Sequence, residues 1–204
     1  RARLAVVQRQ LDRVNALAFS PDGSLLATGG GEPSRSGELK LWSTADGTLA
    51  RDLGSVHSDC VLAVAFSPRG DRLATGGADR FARITEVGTG KLLRSLEGHT
   101  HHVMAVAWLA HGGVLASAGA EGVVKIWNAQ TGDRLKNVDS FGKEVTGLRA
   151  VGLTNQFVAV AGSGKSRVVR ENGEKVRDLP SASSFFQALS TPRDGTWAAV
   201  AADD

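Results

Sequence analysis

The stretch Leu26-Ala27-Thr28-Gly29-Gly30 decides the fold, because versions of it return four more times along the chain. LATGG recurs unchanged from Leu73, and later copies read LASAG from Leu115, VAVAG from Val158 and AAVAA from Ala198. The central residues lie at 28, 75, 117, 160 and 200, so the spacings are 47, 42, 43 and 40 residues. Each copy is a short apolar run between turn residues, which is typical of a buried β-strand.

Every copy lies inside a unit with the same internal order. An apolar alternation precedes it and ends in a turn, as in VNALAFSPDG from Val14. Period-two alternation that stops at Ser-Pro-Asp-Gly predicts a strand entering a tight turn. A third strand such as VKIW from Val124, then a Gly-containing turn and a fourth strand such as KLLRSL from Lys91, complete the unit. Four strands in about 40–45 residues is the period of a β-propeller blade, so we predict an all-β chain.

Composition excludes several classes of protein. The chain has 204 residues, 42% of them hydrophobic and 22% charged, which indicates one globular domain. A net charge of +3 without a basic stripe argues against a nucleic-acid partner. The single cysteine, Cys60, excludes intramolecular disulfides, cysteine-based zinc sites and Cys-x-x-Cys-His haem attachment. No apolar run approaches the roughly 20 residues of a spanning helix, so no membrane insertion is predicted.

The repeats resemble the WD-repeat family of β-propellers. The resemblance covers nearly the whole chain. The residues on which it rests are Gly98-His99, the turns Ser20-Pro21, Ser67-Pro68 and Thr191-Pro192, and Trp42 and Trp127. It implies about four and a half blades of a larger propeller of about seven blades. The implied boundaries are a closing strand in 1–13, blades in 14–56, 57–98, 99–140 and 141–180, and half of a fifth in 181–204.

The same resemblance implies structural roles for two histidines. In the family, a His before the first strand bonds a Ser or Thr on the second strand. An acidic residue orients that His, and a third-strand Trp completes the set. The implied positions are His99, Ser117, Glu121 and Trp127 in blade three, His57, Thr75 and Asp79 in blade two, and Thr28 and Trp42 in blade one.

The residues give little support for a metal site, a catalytic pair or a phosphate-binding loop. The stretch LEGHTHHV concentrates His99, His101 and His102, but Glu97 alone could add a ligand, so we predict no metal and no other cofactor. A Cys60–His57 pair lacks an orienting third group. The stretch AGSGKS from Ala161 ends like a phosphate loop, but a strand follows where that motif needs a helix. We therefore predict no catalytic residues and no enzymatic activity.

Loops on one end of the predicted blades form the candidate partner-binding face. Thr28 and Trp42 are 14 positions apart, whereas Ser117 and Trp127 are 10 apart, which indicates an insertion within Gly31–Gly37. Insertions in repeats map to loops, often on the binding side. We predict a non-catalytic protein–protein interaction scaffold whose contact residues are Glu32, Arg35, His57, Asp79, Arg80, Phe81, His101, His102, Glu121, Lys143 and Lys165.

An alternative function comes from a looser resemblance. The segment SFGKEVTGLRAVGLTNQFVAVAG from Ser140 is similar to bacterial, especially planctomycete, proteins that combine WD repeats with a c-type cytochrome domain. That resemblance implies an exported accessory propeller in the periplasm; otherwise the cytoplasm is the default.

Because Asp204 aligns with Asp79, before a third strand, the chain is also expected to be an open arc completed by more chain, a second copy or a partner.

Overall fold

A computed structural model describes residues 13–180, 186–190 and 199–202 of the chain. This part contains 18 strands and no helix, and four sheets have four strands each. The first sheet comprises β1 Val14–Phe19, β2 Leu25–Gly30, β3 Gly37–Ser43 and β4 Leu49–His57. The second comprises β5 Val61–Phe66, β6 Arg72–Gly77, β7 Ala82–Glu86 and β8 Leu92–Leu96.

The remaining strands repeat the pattern. The third sheet comprises β9 Val103–Trp108, β10 Val114–Gly119, β11 Val124–Asn128 and β12 Arg134–Val138. The fourth comprises β13 Val145–Ala150, β14 Gln156–Ala161, β15 Ser166–Arg170 and β16 Lys175–Leu179. β17 Phe186–Ser190 pairs with β18 Ala199–Ala202 in a two-stranded sheet. The predicted all-β architecture is confirmed, whereas the closing strand expected within 1–13 falls on residues outside the described part, apart from Arg13.

Each four-stranded sheet is an antiparallel meander in chain order. The first strands of successive sheets are neighbours, β1 with β5, β5 with β9, β9 with β13 and β13 with β17. They therefore form a common inner wall, and the fourth strands are the outer edges. Two connections of each blade, from its second to its third strand and from its fourth strand to the next blade, share one end, which we call the His-loop face. The opposite end, with the turns between first and second strands, is the turn face.

A β-bulge recurs at the start of each first strand of the four-stranded sheets. One residue has no opposite partner on the second strand, and these residues are Asn15, Leu62, Met104 and Thr146. A bulge of this kind increases the local twist of the strand. The inner wall therefore repeats one geometry in every blade.

The hydrophobic core lies between successive sheets. One cluster joins the third and fourth sheets around Ile126, Phe141, Leu148 and Phe157, each with 0% exposure. Because neighbouring sheets cover both faces of the second strands, these strands need apolar or small residues throughout. This burial explains why LATGG and its copies do not alternate between apolar and polar residues.

The register corrects one equivalence drawn from the sequence. Ser117 pairs with Lys125 on the third strand, and Ala159 pairs with the equivalent Arg167. Ala159, and not Val160, is therefore the counterpart of Ser117. Since side chains alternate between faces, this shift of one residue exchanges the residues of VAVA between the two faces of the blade.

Candidate functional site

A buried hydrogen-bonded chain in blade three joins four residues that the sequence places far apart. Trp127 Nε1 donates to Ser117 Oγ at 2.8 Å, His99 Nε2 lies 2.6 Å from the same hydroxyl, and His99 Nδ1 lies 2.5 Å from Glu121 Oε1. The His99 side chain has 0% exposure. The structure therefore brings together the whole set expected for this blade.

The protons of this chain can be placed from the chemistry of its members. Burial lowers the pKa of His99, although the Glu121 carboxylate opposes that shift. A neutral imidazole has one N–H, and a carboxylate can only accept, so Nδ1 donates to Glu121 and Nε2 accepts from the Ser117 hydroxyl. Hydrogen bonds thus run in one direction from Trp127 to Glu121, and both His99 nitrogens are occupied.

Blade two contains a shorter version of the network. His57 Nε2 lies 2.7 Å from Thr75 Oγ1, and His57 Nδ1 lies 2.9 Å from Asp79 Oδ1. Thr85 stands where Trp127 stands in blade three, and Arg83 adds a contact instead. Its guanidinium donates to Asp79 Oδ2 at 2.6 Å and lies against His57 Nδ1. Asp79 has its pKa held low by hydrogen bonds from His57 and Arg83, which outweigh its desolvation.

Blade four replaces the network with apolar side chains. Phe141 lies four residues before Val145, as His99 lies four before Val103, and its exposure is 0%. Ala159 takes the place of the hydroxyl residue, and Val169 pairs with Phe157 at the Trp position. Removing all partners together leaves no buried polar group unpaired, which makes the exchange energetically tolerable. Blade one retains the Trp42 Nε1 bond to Thr28 Oγ1 at 2.9 Å.

Two glycines of the repeat make room for the histidine networks. A Cβ on Gly119 would lie 1.9 Å from Glu121 Oε2 and 2.5 Å from His99 Nδ1. A Cβ on Gly77 would lie 2.3 Å from His57 Nδ1. Blade four lacks the histidine, and its equivalent residue is Ala161. Matching VAVAG with LASAG by sequence places Gly162 opposite Gly119, so the change from Gly to Ala is visible only in the strand register.

Comparison with known families agrees with this geometry. The model of the WD40 family (WD domain, G-beta repeat) matches residues 4–43, 47–85 and 90–128, more than half of the chain. The chain belongs to the WD40 repeat family. WD40 domains typically bind protein partners and are typically not enzymes. A comparison with curated proteins found no match to this chain. Bacterial origin and the resemblance to cytochrome-linked proteins stay predictions.

The WD40 repeats are offset from the blades by one strand. The repeats at 47–85 and 90–128 each begin with the fourth strand of one sheet and end with the third strand of the next. Each sequence repeat therefore crosses a blade boundary. This offset links neighbouring blades covalently within one repeat, so a blade cannot be removed without cutting two repeats.

Most residues of the predicted contact set are accessible on the His-loop face. The exposed ones are Glu32, Arg35, Arg80, His101, His102, Lys143 and Lys165, and Phe81 is half-buried. The structure differs from the prediction for His57, whose side chain has 0% exposure, and for Asp79 and Glu121, at 5% and 12%. These three turn inward because their polar atoms complete the networks.

The surroundings of Cys60 do not activate its thiol. Cys60 is buried, its thiol donates to the Gly31 carbonyl oxygen at 3.3 Å, and burial followed by the Asp59 charge raises its pKa. That environment disfavours the thiolate a nucleophile needs.

Within the described ranges, no cluster of three His, Cys, Asp or Glu side chains could hold a metal ion. The same ranges contain no helix that could cross a membrane.

The buried histidines predict loss of stability in mild acid. Burial lowers the pKa of both His57 and His99 from 6.5, so protons bind the unfolded chain preferentially. Stability from these groups is complete above the unfolded pKa and declines as the pH falls below it. The urea midpoint should therefore be lower at about pH 5 than at about pH 8. An equal or higher midpoint at the acidic pH would contradict the neutral imidazoles, and the exposed-His variant His111→Gln serves as control.

The inserted loop predicts tolerance of shortening. Glu32 and Arg35 are exposed and pair with each other at 2.8 Å, and the Ser34 N–H donates to the Asp59 carboxylate, also at 2.8 Å. Deleting 32–35 should change the free energy of unfolding by less than about 1 kcal/mol, since loop closure depends weakly on length. Thermal and urea unfolding measure the change. A loss above about 2 kcal/mol would mean that the loop contributes to the core.

Proposed function

We propose that this WD40 chain is a non-catalytic scaffold that binds a protein partner through its His-loop face. The observation that carries the proposal is the distribution of backbone strain. Among the described residues, three non-glycine residues have positive φ: Ser34 at 60°, Arg80 at 74° and Ser140 at 73°. All three lie in loops of the His-loop face. Residues in such conformations are strained and concentrate at functional sites.

Arg80 supports the proposal most directly. It occupies the position held by Gly122 in blade three and Gly164 in blade four, which have φ of 78° and 79°. An arginine there costs about 1 kcal/mol or more relative to glycine. The residue is exposed, and its side chain forms no hydrogen bond or ion pair within the described residues that would compensate for that cost. A contact with a partner is a physical reason for an arginine at this position.

The buried hydrogen-bond networks also support the proposal, because they hold the loops of the His-loop face in place. Asp79 accepts hydrogen bonds from the backbone N–H groups of Phe81 at 3.2 Å and Ser58 at 3.2 Å, in addition to its bond with His57. These bonds tie two loops of the face to one buried residue. Loops held in this way present exposed side chains at little entropic cost on binding, which favours recognition.

The test compares retention of partner proteins by three forms of the chain. The immobilised wild type, an Arg80→Gly, Lys143→Gln variant and an Arg69→Gln, Lys91→Gln control are exposed to proteins of the organism that encodes the chain. Both variants lose two positive charges, but the control changes residues at the turn face. Quantitative mass spectrometry should find partners retained by the wild type and the control and depleted about tenfold or more by the face variant.

Stability measurements make the comparison interpretable. Arg80→Gly should leave the melting temperature unchanged or raise it, because glycine adopts positive φ without strain. Loss of partner by a variant that melts no lower than wild type would be a loss of contact. Equal retention by all three forms, or no specific retention by the wild type, would contradict the proposed function.

A further inference from the structure

The turn face contains a concave apolar basin at the mouth of the channel formed by the first strands. Its volume is about 620 Å³, within the usual range for ligand sites. Leu17 and Phe19 of β1 and Leu153 of the β13–β14 turn line it with exposures of 63%, 62% and 88%. Phe66 and Trp108 complete its apolar wall. Large apolar side chains exposed together mark interaction sites.

One charged side chain interrupts this apolar surface. Arg149 lies at the inner-wall position that is Ala18, Ala65 and Ala107 in the first three blades, as their pairing with the second strands shows. It lines both the basin and an adjoining cavity of about 250 Å³ deeper in the channel. Arg149 is an exposed residue, and partial burial of its guanidinium lowers the pKa by desolvation. The group still remains charged at neutral pH.

The charge of Arg149 is not balanced by the described residues. Its guanidinium donates to the Leu148 carbonyl oxygen at 2.9 Å and forms no ion pair within the described ranges. The described lining of both cavities includes no Asp or Glu. The third-strand cations contrast with it, because Lys40, Arg83, Lys125 and Arg167 each have a carboxylate within 3.6 Å. Among the described residues, Arg149 is thus an exposed cation beside apolar side chains, with no carboxylate partner.

We propose that the basin binds a short apolar segment of a partner protein that carries one carboxylate, with that carboxylate on Arg149. The planar guanidinium matches a carboxylate through two parallel hydrogen bonds, which add geometric specificity to the charge attraction. Apolar side chains on either side of the carboxylate would cover Phe19, Phe66 and Leu153. The carboxylate comes from an Asp or Glu side chain or from a chain terminus. This site is at the opposite end of the molecule from the His-loop face and does not depend on the function proposed there.

The test uses peptides as probes on the intact 204-residue chain. An array presents hexapeptides of Leu, Phe, Val and Trp with one central Asp, Glu, Asn or Gln, together with all-apolar peptides that have a free or an amidated C-terminus. Fluorescence anisotropy then gives Kd for the best acidic peptide and for its amide twin. The acidic form should bind about ten- to hundredfold more tightly, as expected for a charge-assisted hydrogen bond. Peptides with a central Asp or Glu test a side-chain carboxylate, and all-apolar peptides with a free C-terminus test a terminal carboxylate.

Three variants assign the binding to the basin. Arg149→Gln should abolish the preference for the acidic peptide, Leu153→Ser should weaken both peptides while keeping the preference, and Arg69→Gln should change neither. Melting curves verify that each variant folds. Equal binding of acidic and amide twins, an unchanged preference in Arg149→Gln, or no peptide binding at all would overturn the proposal. A chain that self-associates and becomes monomeric through Phe19→Ser would show that a second copy occupies the basin instead.

Discussion

Replacing Phe141 with alanine is expected to lower the free energy of unfolding by about 3–5 kcal/mol. The ring is fully buried and packs in the cluster between the third and fourth sheets that includes Leu148 and Phe157. The Arg167 guanidinium lies over one face of it, 5.2 Å from the centroid. Alanine would remove the apolar contacts and leave a cavity that the two sheets can close only in part. Urea unfolding of the two forms measures the loss.

The half-buried Phe81 supplies the matched control for this change. It lies on the His-loop face, outside the clusters between sheets, with Arg83 4.8 Å from its ring. Phe81→Ala should therefore cost clearly less than Phe141→Ala. Equal losses from the two substitutions, or a loss below about 1 kcal/mol at Phe141, would mean that this blade junction is not held by its apolar core.

His99→Ala is expected to cost about 1–3 kcal/mol, chiefly because it leaves buried partners unpaired. The substitution removes the acceptor of the Ser117 hydroxyl and the N–H donor to Glu121, and neither partner is exposed enough for water to replace it fully. Glu121 Oε2 already has no hydrogen-bond partner among the described residues. Thermal and urea unfolding should both report the loss, and the exposed His101→Ala should stay within about 0.5 kcal/mol of wild type.

Metal analysis separates this structural role from a zinc site. Wild type and both histidine variants should be equally free of stoichiometric zinc after incubation with the metal. Zinc bound by the wild type, released by His99→Ala and accompanied by unchanged melting would contradict the hydrogen-bonded network as the role of His99.

The contrast between blades three and four explains why the two substitutions act differently. In blade three, each polar side chain is the hydrogen-bond partner of another, so removing one leaves its partners unpaired. In blade four, Phe141, Ala159 and Val169 replace the His, the hydroxyl and the Trp together. In this chain the position therefore holds a complete polar set in blade three and an apolar set in blade four. Blade two, with Arg83 in place of a Trp contact, is an intermediate solution.

The sequence by itself determined the architecture of this WD40 chain. The LATGG copies, the Ser-Pro turns and the alternating first strands predicted four-stranded units, because backbone pleat and burial impose those periods locally. It also pointed to His57, His99 and their hydroxyl and acidic partners, through the family resemblance. These features depend on short-range pattern and spacing, which a single chain displays directly.

Only the tertiary structure decided which of these residues are accessible on the His-loop face. His57, Asp79 and Glu121 looked like contact residues, but buried polar atoms must be paired, and pairing turns them inward. The equivalence of Phe141 with His99 emerged from strand register. The surroundings of Arg149 come from several first strands, and among the described residues they include no carboxylate. Packing between blades brings together residues about 40 positions apart, and no local pattern encodes what those neighbours supply.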